Sequence, residues 1–161
     1  MFKGKISVTW KDSDYVDVDY VLYPNPGHGV ESKTKQWDLY KDANHFTCNK
    51  VPAVFVKVAE QFQLQNTVCA LLKQRPGQVL PFHADRYGTY ADRNNVTDKS
   101  KIRRIIVFLH KQIPGHQLWI DDVFCEGDAG SYFGWQNDTV HMAANLGSKD
   151  RYTLQITGLG L

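Results

Sequence analysis

The pattern of apolar and polar positions after residue 66 is typical of strands. Alternation indicates a strand with one buried face, whereas a short unbroken apolar run, as at 105–109, indicates a strand buried on both faces. Turn residues such as Pro114 and Gly115 separate these segments. Many short strands with turns between them predict a sandwich or a barrel. The predicted strands cover residues 67–72, 78–85, 105–109, 117–120, 132–135, 139–145 and 152–157.

One segment before these strands has helical periodicity. Its apolar residues recur at positions i, i+3, i+4 and i+7, and they are Phe55, Val58, Ala59 and Phe62. Pro52 suits the first turn of such a helix. The pattern therefore predicts a helix whose apolar face packs against a sheet.

Length and composition predict one globular domain. The chain has 161 residues, of which 42% are hydrophobic and 22% are charged. We interpret residues 1–161 as a single domain, with an N-terminal support over 1–66 and a β core over 67–158.

Charge, cysteine spacing and hydropathy indicate the compartment and the partners to expect. The formal net charge of +2 makes a nucleic-acid partner an unfavoured expectation. No apolar run reaches the roughly 18 residues of a membrane span, and the N-terminus lacks the apolar stretch of a signal peptide. The three cysteines are widely spaced and form no CxxC motif, which fits a reducing compartment. We therefore expect a cytoplasmic protein without a membrane partner.

Residues 11–30 show no regular pattern but carry several acids in a short space. These acids are Asp12, Asp14, Asp17 and Asp19. Their alternation favours an edge strand, and a calcium site is the alternative. The calcium alternative is weaker because no glycine stands where a calcium loop requires its sharp turn.

The last predicted strand has two different faces. Apolar Tyr152, Leu154 and Ile156 alternate with the polar residues of the other face, which are Arg151, Thr153, Gln155 and Thr157. The apolar face suits a position under the helix. Polar side chains that turn into a core need partners, because an unpaired buried polar group costs about 1–3 kcal/mol. The polar face therefore predicts a ligand-binding pocket.

A His-x-Asp motif at His83 and Asp85 is the main chemical signal. Residues two apart in a strand project from the same face, so this imidazole and carboxylate can reach one metal ion. His141 lies near the start of a later predicted strand, which we expect to pair as a hairpin, through the turn at 146–150, with the strand next to Arg151. His83, Asp85 and His141 then form a two-histidine, one-carboxylate triad, which suits iron(II) and leaves three coordination positions open.

These residues give the chain a resemblance to a known superfamily. From residue 67 to 158 it resembles the iron(II)- and 2-oxoglutarate-dependent dioxygenases, whose core is a double-stranded β-helix, also called a jelly roll and similar to the cupins. Residues 103–110 (RRIIVFLH), 134–135 (GW) and 151–157 (RYTLQIT) are similar to the prolyl hydroxylase group. The asparaginyl and aspartyl hydroxylases come next. The resemblance implies a mainly β fold with this core and a supporting N-terminal helix.

The resemblance also implies an activity and the residues that perform it. His83, Asp85 and His141 would be the catalytic iron ligands, and Arg151, assisted by Thr153, would bind the distal carboxylate of 2-oxoglutarate. The implied reaction uses Fe(II), 2-oxoglutarate and O2 to hydroxylate a C–H bond, with release of succinate and CO2. A prolyl residue in a peptide or protein is the expected substrate. An asparaginyl or aspartyl residue, or a free amino acid as a small-molecule substrate, is the alternative.

The polar segment 86–101 directly follows the motif and is interpreted as a loop. A long loop beside a site is often a lid or a substrate grip, and a disordered insertion is the alternative. Tyr87 and Tyr90 in this segment are candidates for substrate contact, and so is Trp135, which otherwise packs near the site. The basic residues around the end of the segment are interpreted as solvated rather than phosphate-binding; they are Lys99, Lys101, Arg103 and Arg104.

Three other classes of protein share parts of this pattern. A metal-dependent cupin of another class, such as an isomerase or a hydrolase, shares the triad but has no use for Arg151. A non-catalytic jelly-roll binding module does not need a complete set of metal ligands. A nucleic-acid demethylase would have a more basic groove. The pattern as a whole therefore favours the dioxygenase.

Overall fold

Strands dominate the part of the chain that the structure describes, as the sequence predicts. The computed structural model describes residues 1–23, 45–136 and 138–160. The strands are β1 (Phe2–Lys5), β2 (Val21–Tyr23), β3 (His45–Cys48), β4 (Gln65–Gln74), β5 (Val79–His83), β6 (Ile102–Phe108), β7 (His116–Ile120), β8 (Val123–Phe124), β9 (Ser131–Gln136), β10 (His141–Asn145) and β11 (Arg151–Leu159). The helices are α1 (Ser13–Val16), α2 (Ala53–Glu60) and α3 (Gly88–Arg93), and a 3-10 turn spans Lys99–Lys101. Within these described ranges, no helix has the length and apolar character that a membrane crossing requires.

Two antiparallel sheets carry these strands. The larger sheet has the order β1-β9-β6-β11-β4-β3-β2, and the smaller sheet has the order β5-β10-β7-β8. Apolar side chains meet between the sheets, with Ile106 and Phe133 from the larger sheet packing in one cluster with Leu118 and Ile120 from the smaller sheet. The predicted fold class, a mainly β jelly roll of the double-stranded β-helix type, is confirmed.

The outer face of the larger sheet packs against the predicted helix, α2. Phe55, Val58 and Ala59 of α2 are buried in one cluster with Leu154 and Ile156 of β11. Each large apolar side chain buried in this way stabilises the fold by about 1.5–3 kcal/mol. The supporting N-terminal helix and the apolar face of β11 are therefore confirmed.

The N-terminal region also contributes strands that the sequence pattern did not predict. β1 pairs with β9 at one edge of the larger sheet, while β3 pairs with β4 and β2 extends that second edge. These strands are only three or four residues long, which is too short for alternation to be recognised. β6 likewise begins at Ile102, before the predicted start, and so includes Arg103 and Arg104.

The expected hairpin between β10 and β11 is wrong. β10 pairs with β5 and β7 in the smaller sheet, whereas β11 pairs with β4 and β6 in the larger sheet. The turn at 146–150 therefore crosses from one sheet to the other. This crossing lets both strands bury their inner faces in the same interior, and His141 and Arg151 still line one pocket there.

The acidic segment does not form the expected edge strand. Asp12 and Asp17 flank α1, and the Tyr15 hydroxyl donates a 2.5 Å hydrogen bond to Asp12. Tyr15 is buried in the cluster around α2, and this burial fixes the turn. In the described part of the chain, these acids form no group that could hold a metal ion, so the calcium alternative gains no support. Residues 24–30 of the same segment lie outside the described residues.

Candidate metal centre

β5 and β10 bring two histidines together. His83 is the last residue of β5, His141 is the first residue of β10, and the two are direct partners in the antiparallel ladder. Their ring centroids lie 4.3 Å apart. Asp85 follows His83 by two residues and turns back towards both rings. The structure thus places the three predicted metal ligands around one point.

The donor atoms of this triad have the spacing of a metal site. Nε2 of His83 lies 3.6 Å from Oδ1 of Asp85, and Nε2 of His141 lies 3.7 Å from Oδ2. The three ligand atoms all lie within 4.8 Å of one another. These distances are too long for hydrogen bonds, but donors that share an ion about 2 Å away are spaced in this way. No second group of three such side chains occurs within residues 1–23, 45–136 and 138–160.

Backbone carbonyls orient both imidazoles so that each can bind a metal ion. Nδ1 of His83 lies 2.7 Å from the Pro81 carbonyl oxygen, and Nδ1 of His141 lies 3.0 Å from that of Thr139. A carbonyl can only accept, so each Nδ1 carries the proton and each Nε2 presents its lone pair. Burial lowers the pKa of His141 to about 4, which keeps that ring neutral near pH 7. The donor set therefore fits a divalent transition metal.

Arg104 belongs to this site, although the sequence interpretation placed it in a solvated basic run. Its Nε and Nη2 donate to Oδ2 of Asp85 at 3.1 and 2.8 Å, and its Nη1 donates to the Thr157 hydroxyl at 2.8 Å. Its guanidinium also lies over the Tyr87 ring, 5.0 Å from the centroid. The earlier start of β6 explains the correction, because strand alternation puts Arg104 on the same inner face as Ile106. That alternation is the signal by which the sequence could have revealed it.

The charge of Arg104 keeps the carboxyl group of Asp85 ionised. Burial by itself would raise the pKa of Asp85, but the neighbouring guanidinium and the contact with His83 hold it well below its usual range. Burial would likewise lower the pKa of Arg104, and the Asp85 carboxylate raises it. The carboxylate is thus ionised and ready to act as a ligand.

Arg151 lies in a narrow pocket and has no anionic partner among the described residues. Its side chain donates one 2.9 Å hydrogen bond, from Nη1 to the amide oxygen of Gln74, while Nη2 is buried without an acceptor. The residue is only 5% exposed, and its guanidinium packs 5.9 Å from the Phe108 ring centroid. Burial lowers the pKa of Arg151 to about 10, so it still carries its charge at pH 7.

Two further donors in this pocket are also unsatisfied. The Thr153 hydroxyl and the indole Nε1 of Trp135 are buried and make no hydrogen bond within the described residues. Trp135 packs against the metal centre as well, with its ring centroid 4.6 Å from that of His141. The pocket measures about 50 Å³, and Gln155 and His45 also line it. Three buried donors thus point to an acceptor-rich ligand beside the triad.

His45 is a site residue that the sequence interpretation missed. It begins β3, which pattern alone does not reveal, and its ring stacks on Tyr23 with centroids 5.0 Å apart. Burial, followed by the proximity of His83 and Arg104, lowers the pKa of His45 to about 4. It therefore contributes a neutral imidazole to the wall of the narrow pocket.

A wider cleft of about 940 Å³ is bordered by Asp85 and Arg104. Residues between Tyr87 and Asn94, in the segment 86–101, form one of its walls. This segment is not the loop that the sequence suggests, because it contains α3, whose Ala91 is buried, and the 3-10 turn. A helix of six residues is too short to show periodicity.

Both tyrosines named from the sequence line this cleft. Tyr87 is buried, and its hydroxyl makes no hydrogen bond of regular geometry within the described residues, although Arg104 and Asp85 lie close to it. The Tyr90 hydroxyl instead donates to the Asn66 carbonyl oxygen at 3.0 Å, which ties α3 to β4. The cleft therefore holds one unsatisfied hydroxyl close to the triad and one that is already engaged. Gln155 lines both the cleft and the narrow pocket.

The fold has relatives among solved structures, whereas no family model and no curated protein matches the chain. A prolyl-4-hydroxylase from Pseudomonas putida is similar with a TM-score of 0.56 at 15% identity, over 82% of this chain and 84% of that one. A predicted oxalate decarboxylase from Thermotoga maritima is similar with a TM-score of 0.53 at 13% identity, over 91% and 96% of the two chains. Likeness at such low identity shows the fold alone, which is a cupin-like double-stranded β-helix.

Proposed function

We propose that this protein is an Fe(II)- and 2-oxoglutarate-dependent oxygenase that hydroxylates a C–H bond, with a prolyl residue of a peptide or protein as its substrate. The observation that carries the proposal is Arg151, a buried cation whose only polar partner in the described chain is a neutral amide. An uncompensated buried charge is costly, and a bound anion removes that cost.

The narrow pocket suits the distal carboxylate of 2-oxoglutarate. A guanidinium offers parallel N–H donors that match a carboxylate, and Nη2 of Arg151 has no acceptor of its own. The Thr153 hydroxyl and the Trp135 indole supply two more donors for a ligand that is rich in acceptors. His141 lies in the same pocket, so a ligand held by Arg151 extends towards the metal centre.

His83, Asp85 and His141 would hold the iron and leave three positions for ligands from the two cavities. Iron with 2-oxoglutarate and O2 supplies the oxidising chemistry, which yields succinate and CO2 as by-products. The chain itself binds the cosubstrate at Arg151 and keeps His83 and His141 in the ligating tautomer. The packing of Trp135 against His141 restricts water at that side of the site.

The wide cleft is the proposed substrate site. It opens to solvent, borders Asp85, and carries the unsatisfied hydroxyl of Tyr87. Its polar and apolar lining suits a peptide segment that delivers one side chain to the metal centre. The similar fold of the prolyl-4-hydroxylase supports a prolyl residue as that side chain.

A metal-dependent cupin of another class is the second candidate. The observation that favours it is the similar fold of the predicted oxalate decarboxylase, which extends over nearly the whole of both chains. Such an enzyme also binds a small anion near a metal, so anion binding alone does not separate the two candidate functions. Binding of the keto acid 2-oxoglutarate does separate them.

The test is titration of the anaerobic Fe(II)-loaded protein with 2-oxoglutarate, followed by the charge-transfer absorption of the iron–keto-acid complex. We expect the band in the wild type and tens- to thousands-fold weaker binding in Arg151→Ala, because losing one partner of a buried charge pair costs roughly 2–5 kcal/mol. Arg103→Ala is the matched control, since within the described residues the Arg103 side chain donates its hydrogen bonds to the backbone carbonyls of Ser100 and Ile102. A wild type without the band, combined with oxalate binding, would favour the second candidate.

A further inference from the structure

We infer that Arg104 is a positioning residue that makes Asp85 bind the metal through a single oxygen. The inference rests on the proposed metal centre and deepens it. Arg104 directs two N–H donors at Oδ2 of Asp85, and within the described residues Oδ1 has no neighbour of that kind. Oδ1 lies 3.6 Å from Nε2 of His83. The structure thus distinguishes the two carboxylate oxygens before any metal is bound.

Arg104 can impose this arrangement because it is itself fixed. Its third donor, Nη1, is engaged by the Thr157 hydroxyl at 2.8 Å, and its flat face lies on the Tyr87 ring. The side chain is 12% exposed and extends from the middle of the larger sheet. A guanidinium held at three points cannot follow the carboxylate if the carboxylate rotates. Oδ2 lies 3.7 Å from Nε2 of His141 but is held by Arg104, so Oδ1 is the oxygen that remains available to bind the metal.

The number of open coordination positions gives this arrangement a function. A triad that binds through three atoms leaves three of six positions free. A carboxylate that bound through both oxygens would occupy a fourth position and leave two. A bidentate cosubstrate already fills two positions, so the third is needed for a further ligand. By occupying Oδ2, Arg104 preserves that third position.

Two possible roles of Arg104 predict opposite changes in metal affinity when the residue is removed. A guanidinium this close to the centre repels a divalent cation, so its loss should tighten metal binding if charge alone mattered. If Arg104 acts by orienting a ligand, its loss should weaken metal binding roughly 10–100-fold, as is usual for residues that orient metal ligands. The sign of the change therefore separates the two roles.

The experiment uses the full-length, metal-free protein and Mn²⁺ as the probe, without cosubstrate or substrate. Free Mn²⁺ is measured by electron paramagnetic resonance, and water-proton relaxation reports the number of waters on the bound ion. For Arg104→Met we expect Mn²⁺ affinity to fall roughly 10–100-fold and relaxivity per bound ion to fall by about a third, as three water positions become two. Arg104→Lys should restore part of the affinity but not the relaxivity, because an ammonium lacks the fork.

Arg103→Met is the matched control, because it removes the same charge from the neighbouring position of β6. It should leave affinity and relaxivity at the wild-type values. Unchanged or tighter Mn²⁺ binding in Arg104→Met, or unchanged relaxivity, overturns the inference while leaving the proposed function intact. A wild-type protein that binds no Mn²⁺ overturns both. If Arg104→Met does not fold, the comparison of Arg104→Lys with Arg103→Lys decides the question by the same two measurements.

Discussion

Two arginines lie on the inner face of the larger sheet, and they differ in their partners. Arg104 of β6 donates to the Asp85 carboxylate and to the Thr157 hydroxyl. Arg151 of β11 donates to the neutral amide of Gln74 and keeps one buried nitrogen without an acceptor. Both side chains are largely withdrawn from water, so exposure does not account for the difference.

The difference separates a buried charge that has an anionic partner from a buried charge that has none among the described residues. A buried ion pair with well-placed hydrogen bonds recovers much of the cost of desolvating its charges, whereas an unpaired buried cation does not. The described contacts of Arg151 therefore leave part of the cost of burying its charge uncompensated. Its placement beside His141 in the narrow pocket is explained if an anion binds there.

Removing the Asp85 carboxylate, which is the anionic partner of Arg104, together with His83 should have the largest effect, and that effect is on metal binding. In the double variant His83→Ala/Asp85→Ala only one predicted ligand, His141, remains. We expect bound Mn²⁺ or Fe²⁺ to fall from about one ion per chain to near none, because a single side chain holds a divalent ion poorly. The measurement is metal content after equilibrium dialysis. His110→Ala/Asp121→Ala is the control, and one retained ion per chain in the first variant would show that the triad is not the metal site.

Supplying the anion that Arg151 lacks should stabilise the protein. At a concentration of 100 times its dissociation constant, 2-oxoglutarate should raise the free energy of unfolding of the Mn²⁺-loaded wild type by about 2.7 kcal/mol. Arg151→Met should show almost none of this gain at the same concentration, and Arg151→Lys should show part of it. Urea unfolding with and without 2-oxoglutarate measures the effect. An equal gain in Arg151→Met would place the anion elsewhere.

Neutralising each arginine in the metal-free protein should change stability in different directions. Arg104→Met leaves the Asp85 carboxylate without its cation, which should lower the free energy of unfolding by roughly 1–3 kcal/mol. Arg151→Met removes an unpaired charge, and the loss of its bond to Gln74 is offset by the lower cost of burial. Its stability should equal or exceed that of the wild type. Destabilisation of both variants to the same extent would mean that Arg151 has a structural partner.

The sequence predicted the features that depend on strand periodicity. Alternation along β11 separated Leu154 and Ile156, which pack under α2, from Arg151 and Thr153, which face the interior. The two-residue spacing of His83 and Asp85 predicted that both could reach one point, and the structure brings them together with His141. Such features are local, so neighbouring residues suffice to reveal them.

The features that the sequence did not reveal depend on contacts between distant segments. The pairing of β10 with β5 rather than β11 is set by how the two sheets close over a shared interior. The hydrogen bond from Arg104 to Asp85 joins strand β6 to the residues after β5. Arg104 faces the interior because β6 begins at Ile102 and so includes this arginine. β3 and α3 are too short to have a recognisable period, so His45 and the packed wall of the cleft were missed.

Two threonines on β11 extend the comparison to hydroxyl groups. The Thr157 hydroxyl accepts a hydrogen bond from Arg104, whereas the Thr153 hydroxyl, in the pocket of Arg151, has no partner in the described chain. Both residues are buried. Substitution with valine replaces each hydroxyl by a methyl group of similar shape, so the two variants form a matched pair.

Thr157→Val and Thr153→Val should therefore affect different measurements. Thr157→Val leaves one Arg104 donor without an acceptor, so the metal-free protein should lose about 1 kcal/mol of unfolding free energy. Thr153→Val removes a hydroxyl that has no partner, so stability should stay unchanged or rise. Its affinity for 2-oxoglutarate should nevertheless fall several-fold, because a hydrogen bond to the bound carboxylate is worth about 1 kcal/mol. Urea unfolding and calorimetric titration of the Mn²⁺-loaded protein measure the two effects. A Thr153→Val variant that is less stable but binds 2-oxoglutarate normally would assign that hydroxyl to the fold and weaken the case for an anion site around Arg151.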